Sequence, residues 1–484
     1  MGVAQGVLAG FVLSLALVPV CKIVATRTGM VAHPRNDRWH RKVVPLLGGV
    51  GIALALLLGT LVTGVAGDTL VPLTAAMAVF LVGLVDDVFA LKPSTKLIWQ
   101  IAMAAAVVYF GYRLNWLESR LLDSIVTMVW MVGLTNAFNL LDNMDGLCAG
   151  TALVVATMLI VGLWTGVSRD IAGPEIAFLS VLAGAVAGFL VYNFPPASVF
   201  MGDSGSLMLG FALATLTLNN EGVRGSRSDV LSVIAGPVFV LMIPIFDTTL
   251  VTVLRLLAGR SPAQGGRDHS SHRLVALGLS ERSAVFVLWG LAAIGGAVGL
   301  LLRTASEDGS RFIGGTFLVV ICAFAYLLAR VRVYDEVATP PAATGVTPLF
   351  SGFQYKRRAA EVVLDFTLIG VAYYAANRLR FGSEAYLDNA ENFYTSLPIV
   401  LAAQLVGFFI VGVYRGTWDH FQRRDRVMFV KGVMLGAGGA QLAILGVYRY
   451  YPYSISIFLI YVLVLAVLMV VSRTILEALD RLLD

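Results

Sequence analysis

Charged side chains are scarce in this sequence: they make up only 13% of its 484 residues, whereas 58% of the residues are hydrophobic. A soluble domain is typically about a quarter charged. No soluble fold could bury so much apolar surface, because surface scaling forces any globule to expose much of its chain. The composition also excludes intrinsic disorder and a coiled coil. The sequence therefore predicts a protein that crosses a membrane several times, and its 49 glycines suit such a protein because small residues let spanning helices approach closely.

Cysteine is also rare. Cys21, Cys148 and Cys322 lie far apart, with no Cys-X-X-Cys or Cys/His spacing, so the sequence predicts neither a disulfide framework nor a cysteine zinc site. The first apolar run, 2–20, lacks a preceding basic region. It is therefore expected to be the first membrane span rather than a cleaved signal peptide.

A helical span needs about 20 apolar residues, and the sequence contains fifteen candidate runs of this kind. Eleven precede a polar, proline-containing stretch at 331–358 and four follow it. The expected fold class is an all-α polytopic membrane protein. The predicted spans are 2–20, 48–66, 70–85, 97–111, 121–138, 150–166, 175–192, 204–218, 230–253, 283–301, 313–330, 360–377, 397–414, 428–448 and 455–472.

The distribution of Lys and Arg predicts the orientation. If the loop after the first span is cytoplasmic, the loops on that side hold 25 of the 35 basic residues. An excess of Lys and Arg marks cytoplasmic loops. The N-terminus is therefore expected outside and the C-terminus inside. This topology collects the unusual polar segments on the cytoplasmic face, where a water-soluble substrate would bind.

The first of these segments is the carboxylate pair Asp86 and Asp87, at the end of a predicted span. Neighbouring residues at a helix end point about 100° apart, so one carboxylate can bind a metal while the other faces a different group. The alternative is a pair that is simply solvated at the membrane interface.

The second segment, 136–147 (NAFNLLDNMDGL), places Asn136, Asn139, Asp142 and Asp145 between two apolar runs. Asp142 and Asp145 share one face if this turn is helical. The alternative is a turn capped by Asx side chains, but one cap explains only one of the four polar side chains.

The third segment, 193–206 (NFPPASVFMGDSGS), contains Asp203 just before a predicted helix. Asp203 or Ser204 could cap that helix. A helix start with free N–H groups also binds phosphate, and a carboxylate beside phosphate requires a cation between them. Oxygen ligands beside phosphates indicate Mg²⁺.

The fourth segment, 259–274, is basic and rich in glycine, which suits the binding of a pyrophosphate. His269 and His272 have the spacing of a metal pair but lack a nearby third ligand, so hydrogen bonds to phosphate or sugar are favoured over zinc. A further basic cluster surrounds His40, where ordinary positive-inside flanking is the alternative interpretation.

Taken together, these motifs resemble the polyprenyl-phosphate N-acetylhexosamine-1-phosphate transferase family over about residues 1–335. Five signals occur in family order: His40 with Pro45 and Gly48-Gly49; 83–87 (GLVDD) followed by Lys96 and Gln100; 136–146 (NAFNLLDNMDG); Asn193 with 196–197 (PA) and 200–203 (FMGD); and 269–274 (HSSHRL).

The resemblance implies that the phosphate of a membrane polyprenol attacks the sugar-linked phosphorus of a UDP-sugar, with Mg²⁺ (or Mn²⁺ in its place) on the pyrophosphate and UMP as the leaving group. By this resemblance, Asp203 and Asp86 hold the metal, and Asp86 or Asp87 handles the lipid phosphate. Asp142 and Asp145 belong to the catalytic nucleotide and metal site. The implied substrate-binding residues are His40, Lys96, Asn136, Asn139, Asn193, Phe200 (stacked on uracil), His269, His272 and Arg273.

The sequence departs from the family pattern at Ala32, at Asp37-Arg38 and at Ser271, which replaces one histidine of a frequent triplet. The last change argues against a UDP-MurNAc-pentapeptide enzyme and favours UDP-GlcNAc. The implied partners are a UDP-sugar, a polyprenyl phosphate and the membrane. A homo-oligomer is compatible with the resemblance, and no nucleic acid is expected. The implied location is the bacterial inner membrane, with the active site on the cytoplasmic face.

Residues 359–484 are expected to form a separate four-helix membrane module, joined by a cytoplasmic linker at 336–358. The segment 404–419 (QLVGFFIVGVYRGTWD) resembles the membrane region of nucleotide-sugar dehydratases and epimerases. No dinucleotide-binding glycine motif follows, so this module is predicted to be non-catalytic. A transporter or flippase of a lipid-linked or nucleotide sugar is the competing function. Transporters, however, carry polar residues at mid-membrane in broken helices. A structural membrane scaffold is a third possibility, which leaves the crowded Asn/Asp segment unexplained.

Overall fold

The computed structural model describes residues 2–32, 43–166, 169–218, 230–261, 266–304, 307–331, 353–388, 390–415, 423–447 and 455–483. These residues are almost entirely helical. The helices are α1 (Val3–Thr28), α2 (Gly48–Val62), α3 (Leu70–Phe89), α4 (Pro93–Tyr109), α5 (Arg120–Leu141), α6 (Leu147–Gly166), α7 (Arg169–Asn193), α8 (Gly202–Leu216), α9 (Val230–Val240), α10 (Met242–Leu257), α11 (Ser270–Ala276), α12 (Glu281–Thr304), α13 (Glu307–Ala329), α14 (Phe353–Asp388), α15 (Ala390–Val411), α16 (Arg423–Val447) and α17 (Ile455–Leu483). Two short strands, β1 (Val31–Ala32) and β2 (Val44–Pro45), pair antiparallel with Val31 opposite Pro45.

The polytopic all-α class is confirmed. Among the described residues, eight helices are long and apolar enough to cross a membrane: Val3–Thr28, Leu70–Phe89, Arg120–Leu141, Leu147–Thr165, Gly173–Asn193, Glu281–Leu302, Asp425–Gly446 and Ile455–Thr474. Three shorter apolar helices cover Gly48–Val62, Ile313–Ala329 and Thr395–Val411. The expected total of eleven plus four spans is not confirmed.

One predicted span is wrong in its continuity. The apolar run 230–253 forms two helices, α9 and α10, with Leu241 between them. Pro244 has no N–H to donate to the carbonyl of Val240, four residues earlier, and a proline ring also crowds that carbonyl. The chain therefore starts a new helix at this point although its hydropathy is uninterrupted.

The described residues fall into two compact units. The first contains residues 1–90, 114–116 and 129–352, and the second contains 91–113, 117–128 and 353–484. Helix α4 thus belongs with α14–α17 and the first turns of α5. It packs against α15, where the ring of Trp99 meets the ring of Phe409 edge-on at 5.9 Å between centroids. The expected module boundary at 336–358 stays a prediction.

In the first unit, glycines allow helices to touch backbone to backbone. A Cβ at Gly10 of α1 would lie 2.1 Å from the carbonyl oxygen of Val181 in α7, and one at Gly184 would lie 2.1 Å from that of Val7. No larger residue fits either position without moving a helix. This is the close approach expected from the glycine content.

A glycine also allows α3 to pack closely against α8. A Cβ at Gly83 would lie 2.6 Å from Cα of Ser204 and 2.7 Å from the carbonyl oxygen of Asp203. The C-terminal end of α3 is therefore held against the first turn of α8. The 83–87 motif and the 200–203 motif, which are over a hundred residues apart in sequence, become neighbours.

In the second unit, buried polar side chains connect the helices. Arg473 of α17 donates to Asp365 of α14 at 2.6 Å, and the hydroxyl of Tyr414 donates to the same carboxylate at 3.1 Å. Gln404 donates to the carbonyl of Gly432 at 3.0 Å and accepts from the hydroxyl of Tyr461 at 3.0 Å. Gln404 and Tyr414 of the 404–419 segment therefore hold helices together. The resemblance of this segment to dehydratases and epimerases stays a prediction.

Candidate active site

The first turn of α8 is capped by a side chain from α3. Oδ1 of Asp87 accepts the N–H of Asp203 at 2.8 Å, and Oδ2 accepts the N–H of Ser204 at 3.0 Å. No side chain within α8 caps this helix start, so the alternative of a cap by Asp203 or Ser204 is wrong. Asp87 thus occupies two of the first-turn N–H groups, those of Asp203 and Ser204, and the expected phosphate contact at this helix start stays a prediction.

Backbone hydrogen bonds fix the segment that leads into α8. The N–H of Phe200 donates to the carbonyl of Pro45 at 2.8 Å, and the N–H of Gly48 donates back to the carbonyl of Phe200 at 2.9 Å. The N–H of Gly49 donates to the carbonyl of Met201 at 2.9 Å. A Cβ at Gly48 would lie 2.6 Å from the carbonyl oxygen of Phe200, so this approach requires glycine. The motif that contains Pro45 and Gly48-Gly49 is thus joined to the 200–203 motif. His40, which belongs to the first of these, lies outside the described residues.

The second segment is joined to the third through Asn193. Its Oδ1 accepts the N–H of Gly146 at 3.0 Å, and its Nδ2 donates to the carbonyl of Val199 at 3.0 Å. Asn193 is buried, and both ends of its amide bind backbone groups. In addition, Oδ2 of Asp145 accepts the N–H of Ala197 at 2.7 Å. These bonds hold the Asn/Asp turn against the segment that precedes α8.

The remaining polar residues of the turn have different partners. Nδ2 of Asn139 donates to the hydroxyl of Ser206 in α8 at 3.0 Å, whereas Nδ2 of Asn136 donates within its own helix to the carbonyl of Val132 at 2.8 Å. Asp142 is partly exposed. Asn139 thus contacts α8, and Asp145 contacts the segment that precedes α8.

Contacts of individual side chains hold the segment that contains His269 and His272, residues 268–274, which is called the histidine segment. Asp268 forms a two-pronged ion pair with Arg255, whose Nε and Nη2 donate at 2.8 and 2.6 Å. Burial opposes ionisation of Asp268, but the hydrogen bonds and positive charge of Arg255 outweigh it and lower the pKa of this carboxyl. The hydroxyl of Ser271 donates to Oδ1 of Asn143 at 2.7 Å, which connects this segment to the Asn/Asp turn.

His269 and His272 are both buried, with ring centroids 6.1 Å apart. Nδ1 of His269 lies 2.7 Å from Oδ2 of Asp247 in α10. Burial, followed by the electrostatic interaction with His269, lowers the pKa of His272 to about 4. His272 is therefore neutral at pH 7 and offers hydrogen bonds rather than positive charge.

Arg273 has backbone partners. Its Nε donates to the carbonyl of Asp268 at 2.8 Å, and its Nη1 donates to the carbonyls of Leu328 and Val331 at 3.1 and 2.8 Å. These last two carbonyls lie at and just beyond the end of α13, where helical carbonyls lack intrahelical partners. The contacts account for the burial of this guanidinium without a ligand. The expected phosphate contact of Arg273 stays a prediction.

Asp247 and Arg255 were missed by the sequence reasoning. Both are buried, at 1% and 4% exposure, and both hold the histidine segment. Asp247 interrupts an apolar stretch of a predicted span, and an ionisable residue in such a position is itself a functional signal. That signal could have identified Asp247.

The donor set suits an ion that is shared with substrate. Among the described residues, no group of three or more His, Cys, Asp or Glu side chains could hold a metal, so neither zinc nor an all-protein cage is indicated. Mg²⁺ is usually bound by one or two carboxylates together with substrate phosphates. Asp86, Asp142 and Asp203 are partly exposed carboxylates of the first unit, which fits such an ion. Lys96 lies on α4, in the second unit.

The family described as glycosyl transferase family 4 matches residues 69–220, from the start of α3 to just beyond α8. The probable undecaprenyl-phosphate N-acetylglucosaminyl 1-phosphate transferase of Bacillus subtilis is 32% identical over 331 residues, which cover 66% of this chain and 88% of that protein. The chain belongs to this family. The resemblance of the motifs to polyprenyl-phosphate N-acetylhexosamine-1-phosphate transferases is thereby confirmed.

Two further relatives of this chain are mycobacterial. The decaprenyl-phosphate N-acetylglucosaminephosphotransferase of Mycolicibacterium smegmatis is 34% identical over 313 residues, 57% of this chain and 77% of that protein. The Mycobacterium tuberculosis protein of the same name is 32% identical over 372 residues, 69% of this chain and 90% of that protein. The aligned region covers most of each relative's length, but about a third or more of this chain lies outside it.

Proposed function

We propose that this protein transfers N-acetylglucosamine-1-phosphate from UDP-GlcNAc to a membrane polyprenyl phosphate and releases UMP. The observation that carries this proposal is the convergence of four family motifs in the first unit, where hydrogen bonds join them around the start of α8. The histidine segment joins the same group through Ser271 and Asn143.

The reaction exchanges one phosphoanhydride (pyrophosphate) linkage for another. An oxygen of the polyprenyl phosphate attacks the sugar-linked phosphorus, a new phosphorus–oxygen bond forms, and the bond to the UMP oxygen breaks. Both substrates are anionic, so the site must offset their repulsion. Asp203 and Asp86 would hold Mg²⁺, which would supply positive charge at the pyrophosphate. His269 and the neutral His272 contribute hydrogen bonds to phosphate or sugar, and Phe200 stacks on the uracil.

The two adjacent carboxylates have separate roles. Both oxygens of Asp87 accept N–H groups of α8, which supports a structural role for this residue. We therefore assign contact with the metal and the lipid phosphate to Asp86. Asp142 and Asp145 complete the acidic lining of the nucleotide side.

Ser271 supports a GlcNAc donor. It stands where a histidine is frequent in the family, and its hydroxyl is engaged by Asn143. The site therefore lacks the histidine triplet of the enzymes that use UDP-MurNAc-pentapeptide.

We place the active site on the cytoplasmic face of a bacterial inner membrane, with the N-terminus outside and the C-terminus inside. The unequal distribution of Lys and Arg supports this orientation. Single cysteines introduced at 262–268 or 339–345 should react with an impermeant reagent only from the cytoplasmic side. Labelling from the periplasmic side would contradict the placement.

The decisive experiment is turnover by purified protein. With undecaprenyl phosphate and a panel of radiolabelled UDP-sugars, UDP-GlcNAc should give labelled lipid and UMP in equal amounts, and UDP-MurNAc-pentapeptide should give none. Asp203→Asn serves as the inactive control. A folded protein that moves a labelled sugar across a vesicle membrane without forming a lipid-linked pyrophosphate would instead establish the transporter.

A further inference from the structure

Asp247 holds the histidine segment through both oxygens of its carboxylate. Oδ2 lies 2.7 Å from Nδ1 of His269, while Oδ1 accepts the N–H of Ser270 at 2.7 Å and its hydroxyl at 2.6 Å. Asp247 is 1% exposed and belongs to α10, more than twenty residues before the histidine. One buried carboxylate thus binds the ring of one residue and the backbone of the next.

We propose that Asp247 is a positioning residue that fixes the ring of His269 so that its Nε2 meets the sugar nucleotide. This inference rests on the proposed transfer reaction. Because Nδ1 faces the carboxylate, the proton of a neutral ring resides on Nδ1, and Nε2 is the nitrogen that remains for the substrate. An imidazole whose second nitrogen binds a carboxylate has its tautomer and its orientation set together.

The neighbouring residues make the ring position rigid. Asp268 is tied to Arg255 of α10, and Ser271 is tied to Asn143. Four consecutive residues, 268–271, therefore have side-chain anchors outside their own segment. A ring held in this way is already oriented when the substrate arrives, which is how supporting residues contribute to a binding site.

The tautomer of His269 is a direct readout of this role. In protein labelled with ¹⁵N-histidine, the five histidines of the chain give separate nitrogen signals, and His269→Gln identifies the signal of interest. At pH 7.5 the wild type should carry a proton on Nδ1 of His269. In Asp247→Asn the amide Nδ2 donates to Nδ1, so that proton should move to Nε2.

Asp268→Asn is the matched control, because it alters a buried carboxylate beside the histidine but leaves Asp247 in place. It should retain the proton on Nδ1. The same result in Asp247→Asn would overturn the inference. If Asp247→Asn does not fold, Asp247→Glu keeps the charge but displaces it by one methylene, and the His269 signal should then shift without loss of the Nδ1 proton.

A double-mutant cycle tests the functional half. Asp247→Asn should lower kcat/KM for UDP-GlcNAc by about 10- to 100-fold, the usual cost of losing a supporting partner. In a His269→Gln background the same change should cost less than about 2-fold, because residues that act through one another are not additive. Fully additive losses would overturn the inference. Absence of lipid product from the wild type would instead overturn the proposed function, while the ¹⁵N signals would still report whether Asp247 fixes the ring.

Discussion

Replacing Asp87 by alanine should destabilise the protein by detaching α3 from the start of α8. The change removes two hydrogen bonds, at 2.8 and 3.0 Å, from a carboxylate to N–H groups in the first turn of α8. A hydrogen bond to a charged group is worth about 1.5–3 kcal/mol, and loss of a helix cap typically costs about 1 kcal/mol. Because Asp87 is partly exposed and water can replace one bond, we expect a loss of about 3 kcal/mol in the free energy of unfolding.

Asp87→Asn should cost less, about 1 kcal/mol, because the amide oxygen still accepts one of the two N–H groups. The free energy of unfolding is measured by titration with SDS in mixed micelles, and the melting temperature provides a second reading. Asp86→Asn, one residue earlier on the same helix end, is the control for loss of a charge and should destabilise less than Asp87→Ala.

Activity separates the two carboxylates further. At a temperature where all variants are folded, Asp87→Asn should retain substantial activity, whereas Asp86→Asn should not. Asp87→Ala with wild-type stability would refute the reasoning, since the capping bonds would then contribute nothing. If Asp87→Asn were inactive but fully stable, contact with the lipid phosphate would have to be assigned to Asp87 instead of Asp86.

Three further outcomes are expected. Asp203→Asn should melt like the wild type but lose several orders of magnitude in rate at every Mg²⁺ concentration, because stabilisation of phosphate charge by a metal is worth several kcal/mol; near wild-type turnover would remove Asp203 from the metal site. Burial lowers the pKa of His272 to about 4. Between about pH 6.5 and 4, this side chain is therefore protonated in the unfolded chain but neutral in the folded chain. The free energy of unfolding should therefore fall by about 3 kcal/mol between pH 6.5 and 4, and His272→Gln should flatten that profile. Asn193→Ala should cost about 2–4 kcal/mol in the same SDS titration, because two buried backbone groups lose their partners; a cost no larger than that of an exposed Asn→Ala change would contradict the bracing role.

The membrane class was predictable because hydropathy acts residue by residue. A helix in lipid satisfies its own backbone hydrogen bonds, so an apolar run of sufficient length identifies a span without knowledge of its neighbours. The convergence of the motifs was predictable for a related reason. Segments at the ends of spans on one side of a membrane share a face of the protein, and the distribution of Lys and Arg predicts that these segments share one side.

Bonds between distant segments were not predictable in the same way. Asp86 and Asp87 have the same chemistry and the same local sequence, and only the position of α8, more than a hundred residues later, distinguishes them. The start of α8 looked free because a cap supplied by another helix leaves no trace within the capped segment. Asn193 looked like a ligand-binding residue for the same reason, since its partners are backbone groups that carry no identity in a sequence.

The break at Leu241 shows a different limit. Hydropathy counts apolar side chains, whereas the end of a helix depends on N–H donors. Pro237 and Pro244 lie on either side of this break within an uninterrupted apolar run. The presence of proline alone does not identify such a break, since Pro19 and Pro398 lie inside unbroken helices.

The C-terminal helices show that a helix can pack with partners far from it in sequence. The polar stretch at 331–358 indicates where one run of spans ends and another begins. Helix α4 nevertheless lies inside the 69–220 family match and packs against α15. An apolar helix gives no indication in its sequence of which other apolar helix it will contact, because lipid and protein are equally apolar and the choice depends on shape. The edge-on contact between Trp99 of α4 and Phe409 of α15 is part of the complementary surface between these two helices. Helices α14 and α15 therefore pack against α4, which lies inside the matched region 69–220, although they follow that region in sequence.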